Sequence, residues 1–267
     1  MKLTLGFSPC PNDTFMMEAL VHRKVDADEL EFDVRIADVE TLNEWALEGQ
    51  LDVTKVSFHA YLKIMQEYSL LSSGAALGFG CGPLLIARQP LSEDVINQGP
   101  VAIPGTHTTA HMLFRLRYPA AQRKQFMVFS DIEDAVVNGS AVAGVIIHEN
   151  RFTYQDKGLH CIEDLGTFWE RETGTPIPLG AFVARTTLGA GQIRRIETLI
   201  RQSIQHAFAQ PESTMPYVRA HAQEMDQQVM QQHINTYVNT FSLDLGSEGL
   251  KAVQRLQARA YQAGLMR

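Results

Sequence analysis

In this 267-residue chain, strand-period and helix-period stretches alternate almost from end to end, and a βαβ repeat admits few ways of packing. Lys2–Phe7 alternates as a strand, and Asn12 or Asp13 can cap a following helix that carries Phe15, Met16, Ala19 and Leu20. A second strand over 31–37 sets Phe32, Val34 and Ile36 on one face. Asp38 then opens a helix with Val39, Leu42, Trp45 and Ala46 along one side, and Gly49 ends it. Residues 52–57 read as a third strand whose Ser57 can cap a helix to about Gln66. Three βα units in succession predict a parallel sheet with covering helices.

A strand over 70–76 and a buried-looking one over 83–88 lead into a second neighbourhood. There the alternation restarts: a strand at 101–103, a loop at 104–109, a helix to about Tyr118, a strand at 126–129, a helix from Asp131 and a strand at 141–147. Residues 178–185 echo 83–88, each an apolar run ending in Ala-Arg, and after Gly191 the reading is helical, with segments to about Gln210, after Pro216, over 227–238 and over 247–263. Two similar strands, one outward and one back, predict an α/β fold of two lobes joined by two hinge strands. Residues 1–87 and 181–267 would form the first lobe and 88–180 an inserted second, each a parallel-rich sheet flanked by helices. Ligands of such folds bind in the cleft, at carboxyl ends of strands and at helix N-termini.

Composition removes several classes of function. Lys plus Arg number 23 against 30 Asp plus Glu, a formal charge of −7 with no basic block, so nucleic acid is not an expected partner. No window approaches 18 uninterrupted apolar residues, and Met1–Phe7 runs straight into Ser8-Pro9-Cys10-Pro11 with no signal-peptide core, which predicts a soluble, cytoplasmic protein without a membrane partner. Cys10, Cys81 and Cys161 match neither a disulfide framework nor a zinc motif. His107 and His111 have metal-like spacing but lack a third ligand nearby, so no metal is expected. With no G-x-G-x-x-G, Walker, G-x-S-x-G or H-E-x-x-H pattern, no cofactor is expected either.

Three strand-to-helix turns are candidate substrate contacts, because helix N-termini leave backbone N–H groups that can hold an anion. The first is 8–14, stiffened by two prolines, with Asn12 and Asp13 as caps or ligands. The second is Lys55-Val56-Ser57, an ammonium beside a hydroxyl. The third, 104–110, is the best anion cradle: Gly105 allows close approach, and Thr108, Thr109 and Ala110 open the helix. His148 follows the apolar strand, whose end would deliver it to the cleft as a general base that Glu149 or Tyr154 could orient, although a histidine merely ending a strand is the ordinary alternative. His107 has no assigned role; with Asp13 it is the next candidate for base.

The octet Ser8-Pro9-Cys10-Pro11-Asn12-Asp13-Thr14-Phe15 resembles the N-terminal signature of the 1,4-dihydroxy-6-naphthoate synthase family of the futalosine route to menaquinone. Residues 55–61, Pro104-Gly105 with Thr108-Thr109-Ala110, Ile147-His148-Glu149 and Pro178-Leu179-Gly180 resemble further blocks in family order, and the similarity spans nearly the whole chain. The resemblance implies a periplasmic-binding-protein-like fold. It also implies a metal-free, cofactor-free carbon–carbon lyase that converts cyclic dehypoxanthinylfutalosine, a small-molecule carboxylate, to 1,4-dihydroxy-6-naphthoate. His148 would be the base, and Lys55 to Ser57 with Thr108 and Thr109 would contact substrate. Chorismate dehydratase of the same pathway, or a small-carboxylate-binding protein without catalysis, are the alternatives; oligomeric state is not legible.

Overall fold

A computed structural model describes residues 1–222 and 226–266; the rest of the expected 181–267 segment lies outside the described residues. The first half-dozen elements follow the predicted alternation: β1 (Lys2–Phe7), α1 (Pro11–Val21), β2 (Glu31–Ile36), α2 (Val39–Leu47), β3 (Val53–Ser57) and α3 (Phe58–Ile64). The single strand expected over 70–76 is instead two, β4 (Tyr68–Leu70) and β5 (Ala76–Gly78). The Ser-Ser-Gly between them finds its partners elsewhere: Ser72 N–H donates to Glu197 at 2.7 Å and Gly74 N–H to the Ser242 carbonyl at 2.7 Å.

Next come β6 (Leu84–Ala87), α4 (Glu93–Gln98), β7 (Val101–Ile103), α5 (Thr109–Arg117), β8 (Lys124–Phe126), α6 (Ile132–Val137), β9 (Ala143–Ile146), α7 (Asn150–Thr153), β10 (His160–Asp164) and α8 (Leu165–Thr173). The chain ends with β11 (Ile177–Arg185), α9 (Gly189–Ala209), α10 (Pro211–His221), α11 (Gln227–Tyr237), α12 (Thr240–Leu243) and α13 (Gly246–Gln262). Sequence periodicity missed α4, α7, β10, α8 and α12. No helix among the described residues is long and apolar enough to cross a membrane.

The strands form two mixed sheets. One has the order β2-β1-β3-β11-β4, with β5 also on β11; the other runs β10-β6-β9-β7-β8. β1 pairs parallel with β2 and β3, while β11 is antiparallel to β3, β4 and β5. In the second sheet β7 pairs parallel with β8 and β9, and β6 is antiparallel to β9 and β10. The expected boundaries at 87/88 and 180/181 sit late, since β6 already pairs in the second sheet and β11 pairs in the first from Ile177 onward. Leu84–Ala87 is buried throughout, so its side chains carry no sign of which sheet it joins.

Where the chain passes between sheets, Gly82 lies against Gly166 so closely that a Cβ on either would run into the other's backbone. Arg151 fastens the same spot, its guanidinium donating to the Gly80 and Gly82 carbonyls and to Asp164. The two sheets also share apolar packing: one continuous core joins Leu77 and Ala181 of the first and Phe58 of α3 to Leu85 and Val101 of the second, Leu113 of α5 and Trp169 of α8. The carboxyl ends of β1, β3, β7 and β9 lead directly into the segments that bear Ser8, Ser57, Thr108 and His148.

Candidate active site

Those segments enclose a cavity with about 660 Å³ of space that includes open solvent, placed where such folds bind small molecules. Asn12, Asp13, Lys55, Val56, Ser57, Thr108, Thr109, Ala110 and His148 all line it, joined by Ser8, Val39, Ala76, Cys81, Pro83, Ile147, Leu179, Gly180, His233 and Tyr237. The expected base and its expected substrate contacts therefore meet at one place, whereas His107, Glu149 and Tyr154 are not in the lining, and several of the residues that are do different work there than their residue type suggested.

Asn12 and Asp13 do not cap α1. Cys10 holds the N-cap position, without a side-chain hydrogen bond. Asp13 turns inward instead: its carboxylate accepts from Ser8 Oγ at 2.8 Å, from Ser8 N–H at 3.2 Å and from Asn12 Nδ2 at 2.9 Å, and it pairs with Lys55 Nζ at 2.9 Å. Lys55 also donates to the Gly74 carbonyl at 2.8 Å and stands 5.0 Å from the centre of the Phe182 ring. Both charges are nearly solvent-free, so each is affordable only because the other is there. The ammonium expected to await a substrate carboxylate is already neutralised by the protein.

Ser57 likewise makes no side-chain cap. Asn43, fully buried on α2, grips it from two sides, accepting from Ser57 N–H at 2.8 Å and donating to Ser57 Oγ at 3.1 Å. That leaves the hydroxyl proton of Ser57 as a donor toward the cavity.

At the third turn the expected cradle is divided. Glu40 of α2 reaches across to its outer half, where its carboxylate accepts from His107 N–H at 2.8 and 3.1 Å. Gly105, at φ +91°, is required there because a Cβ would come within 2.5–2.7 Å of the Glu40 side chain. Burial lifts the Glu40 carboxyl above its usual range while the His107 N–H and Asn43 amide oppose the shift. The inner half faces the cavity. Thr108 caps α5 by accepting from His111 N–H at 3.2 Å, and the Thr109 hydroxyl donates to the Leu179 carbonyl at 2.7 Å and accepts from His59 N–H at 3.3 Å. Both hydroxyls are thus committed, and among the described residues the first-turn N–H groups of Thr109 and Ala110 have no hydrogen-bond acceptor. His59 Nδ1–H closes this seam by donating to the Thr108 carbonyl at 3.2 Å, which joins the start of α3 to the start of α5.

His148 follows β9 in the left-handed region, at φ 57°. Its Nδ1 is 3.3 Å from Cys10 Sγ, and its Nε2 is shielded from solvent with no hydrogen-bond partner among the described residues. Phe129 meets the ring edge-on at 4.8 Å, and His233 of α11 lies parallel to it at 6.2 Å. Burial lowers the imidazole's pKa, and Lys55 adds to this, whereas Asp38 and Asp13 oppose it, so the ring is neutral at neutral pH. Of the two expected helpers, Glu149 Oε2 lies 3.6 Å from His233 Nδ1, and Tyr154 packs against the core under α6. His233 Nε2 in turn bonds Asn12 Oδ1 at 3.0 Å. Nothing local in the sequence pointed to His233, Asn43 or Glu40, since each acts through partners distant along the chain or on another turn.

Cys10, His148 and Glu149 are the only trio among the described residues compact enough to hold a metal ion, with donor atoms within 4.8 Å of one another. Burial and the Glu149 charge push the Cys10 thiol well above its usual pKa, which opposes the thiolate that a metal requires. The contact reads as a hydrogen bond beside a carboxylate. His107, the alternative base, does not line this cavity, and His111 spends Nδ1 on the Thr106 carbonyl at 2.8 Å.

The sequence profile of a menaquinone biosynthesis family matches residues 3–262. A 1,4-dihydroxy-6-naphtoate synthase of Thermus thermophilus is 49% identical over 263 residues, 98% of this chain and 95% of that one. Another of the same name from Streptomyces coelicolor is 44% identical, covering 99% of this chain and 94% of its own. A solved Archaeoglobus fulgidus protein superposes with a TM-score of 0.94 at 32% identity, covering 99% and 98% of the two chains. The alkanesulfonate-binding protein of Xanthomonas axonopodis pv. citri shares the fold alone, with a TM-score of 0.75 at 12% identity over 100% of this chain and 94% of that one. The chain belongs to the menaquinone biosynthesis family, among the 1,4-dihydroxy-6-naphthoate synthases.

Proposed function

We propose that this chain is a carbon–carbon lyase that converts cyclic dehypoxanthinylfutalosine to 1,4-dihydroxy-6-naphthoate, with His148 as general base. The observation that carries the base assignment is a neutral imidazole on the cavity wall whose Nε2 has no partner among the described residues, while its other nitrogen is held by Cys10. A neutral base is ready to accept a proton without first losing one. The substrate's aromatic carboxylate would lie on the Thr109 and Ala110 N–H groups and the Ser57 hydroxyl, at the N-terminus of α5. The apolar lining of Ala76, Pro83, Leu179 and Tyr237 suits the ring system that this carboxylate carries.

Removal of a proton by His148 begins the fragmentation, and aromatisation of the bicycle supplies the driving force. A positioned base contributes about 10²–10⁴-fold, so orientation in the cavity and exclusion of water carry much of the rest. Because Lys55 is internally paired with Asp13, its role is to hold the wall and bias the electrostatics around His148 rather than to clamp the substrate. No cofactor enters this scheme. The test is incubation of purified protein, in chelator and without nucleotide, with cyclic dehypoxanthinylfutalosine. Appearance of the naphthoate by mass and absorbance is expected. Binding without conversion would make the chain a carboxylate-binding protein, and activity restored only by added metal would refute the cofactor-free scheme.

A further inference from the structure

A neutral imidazole has one basic nitrogen, and which one it is depends on the partner of the other. His148 occupies left-handed backbone, a strained conformation for a residue with a β-carbon that persists only where neighbours hold it. Phe129 and His233 fix the plane of the ring, but among the described residues only Cys10 Sγ, 3.3 Å from Nδ1, is a hydrogen-bond partner of either ring nitrogen. The sulfur is itself anchored. Cys10 N–H donates to Ser8 Oγ at 3.4 Å, and the Cys10 carbonyl accepts from Asp13 and Thr14 N–H at 3.1 Å each.

Two arrangements fit this contact. If the thiol donates to Nδ1, Nε2 must carry the proton and becomes a buried N–H without an acceptor, a rare and costly state. If Nδ1–H donates to sulfur, Nε2 keeps its lone pair, and an acceptor without a partner is better tolerated. We propose that Cys10 is a positioning residue for His148: its sulfur accepts the Nδ1–H hydrogen bond, selects that tautomer and leaves the Nε2 lone pair for the substrate proton. This rests on the reading of His148 as the base. Burial and Glu149 keep the sulfur a thiol, so it presents a neutral acceptor rather than a charge that would draw a second proton onto the ring.

The test is ¹⁵N spectroscopy of histidine-labelled protein at a pH where His148 is neutral, with the signal assigned by its loss in His148→Gln. The expected spectrum has a protonated Nδ1 and a bare Nε2. Cys10→Ala should shift the population toward Nε2–H and lower kcat by about tenfold, the weight of one hydrogen bond, with product affinity within a few-fold of the parent. Cys10→Ser, whose hydroxyl accepts the same bond, should restore the tautomer and most of kcat. An Nε2–H tautomer in the parent protein overturns the proposal, and this readout does not depend on whether Cys10→Ala folds. An unchanged tautomer and unchanged kcat in Cys10→Ala also overturn it. Loss of turnover in His148→Gln alongside either result would leave the base assignment standing, which separates the two failures.

Discussion

The turns that open α1 and α5 look alike in sequence, each a proline-bearing strand-to-helix turn with short polar residues, yet the folded chain treats them oppositely. At the first, Asp13 takes four contacts from Ser8, Asn12 and Lys55, and the turn is closed to any further anion. At the second, Glu40 fills only the outer half, and Thr109 and Ala110, whose N–H groups have no acceptor among the described residues, line the cavity. A helix N-terminus is an anion site by default, but whether it receives a ligand depends on which side chains the rest of the fold brings to it. The saturated turn supports the base, and the open one is left to bind.

The largest expected effect tests the saturated side. Lys55→Met should cost about 3–5 kcal/mol of stability by stranding the Asp13 carboxylate in the interior, and adding Asp13→Asn should recover a large part of it. Chemical denaturation of the single and double variants checks this. A stable Lys55→Met protein whose only defect is weak carboxylate binding would show that the two turns are alike after all.

On the open side, Ser57→Ala should weaken product binding about 10- to 100-fold, the worth of a hydrogen bond to a charged group of about 1.5–3 kcal/mol. Calorimetry with the naphthoate measures it, and unchanged affinity would remove Ser57 from the cradle.

A smaller effect comes from the histidines at the seam. Burial pushes His59 down to about 3 and His111 down to about 4, so both are neutral in the fold and would take up protons near 6.5 once unfolded. The unfolded chain therefore binds more protons below 6.5, and the fold loses about 1.4 kcal/mol per pH unit for each such histidine as pH falls from 6.5 toward the folded values. Denaturation between pH 6.5 and 4.5 should give a slope that drops by that amount in His111→Gln. An unchanged slope would mean that His111 charges within the fold.

The smallest effect sharpens the division of labour at α5. Thr109→Val removes the bonds to Leu179 and His59 and should cost about 1 kcal/mol of stability, with product affinity changed only a few-fold because its hydroxyl is already committed. A tenfold loss of affinity without loss of stability would return that hydroxyl to the cradle.

Much of this site could be read from the chain because its walls are strand-to-helix turns, and turns are marked by proline, glycine and short polar residues at fixed places after an alternating strand. Ser8, Ser57, Thr108 and His148 each stand just past such a strand or at its last residue, and all four reach the cavity. What the pattern could not carry is pairing. Asp13 reads as a cap until Lys55 is placed 2.9 Å away, and Gly105 reads as room for a ligand until Glu40 occupies it. His233 and Tyr237 come from a C-terminal helix whose apolar stripe gives no hint that one end meets Asn12. β10 escaped notice because His160–Asp164 mixes polar and apolar residues with none buried, without the alternation of a half-buried strand.

The most direct test of His148 as base is the turnover of His148→Asn, measured beside its affinity for the naphthoate. The expected result is a fall in kcat of about 10²–10⁴-fold, the usual contribution of a positioned base, with product affinity within a few-fold of the parent because the α5 cradle is untouched. Turnover near the parent rate, with folding and binding intact, would contradict it.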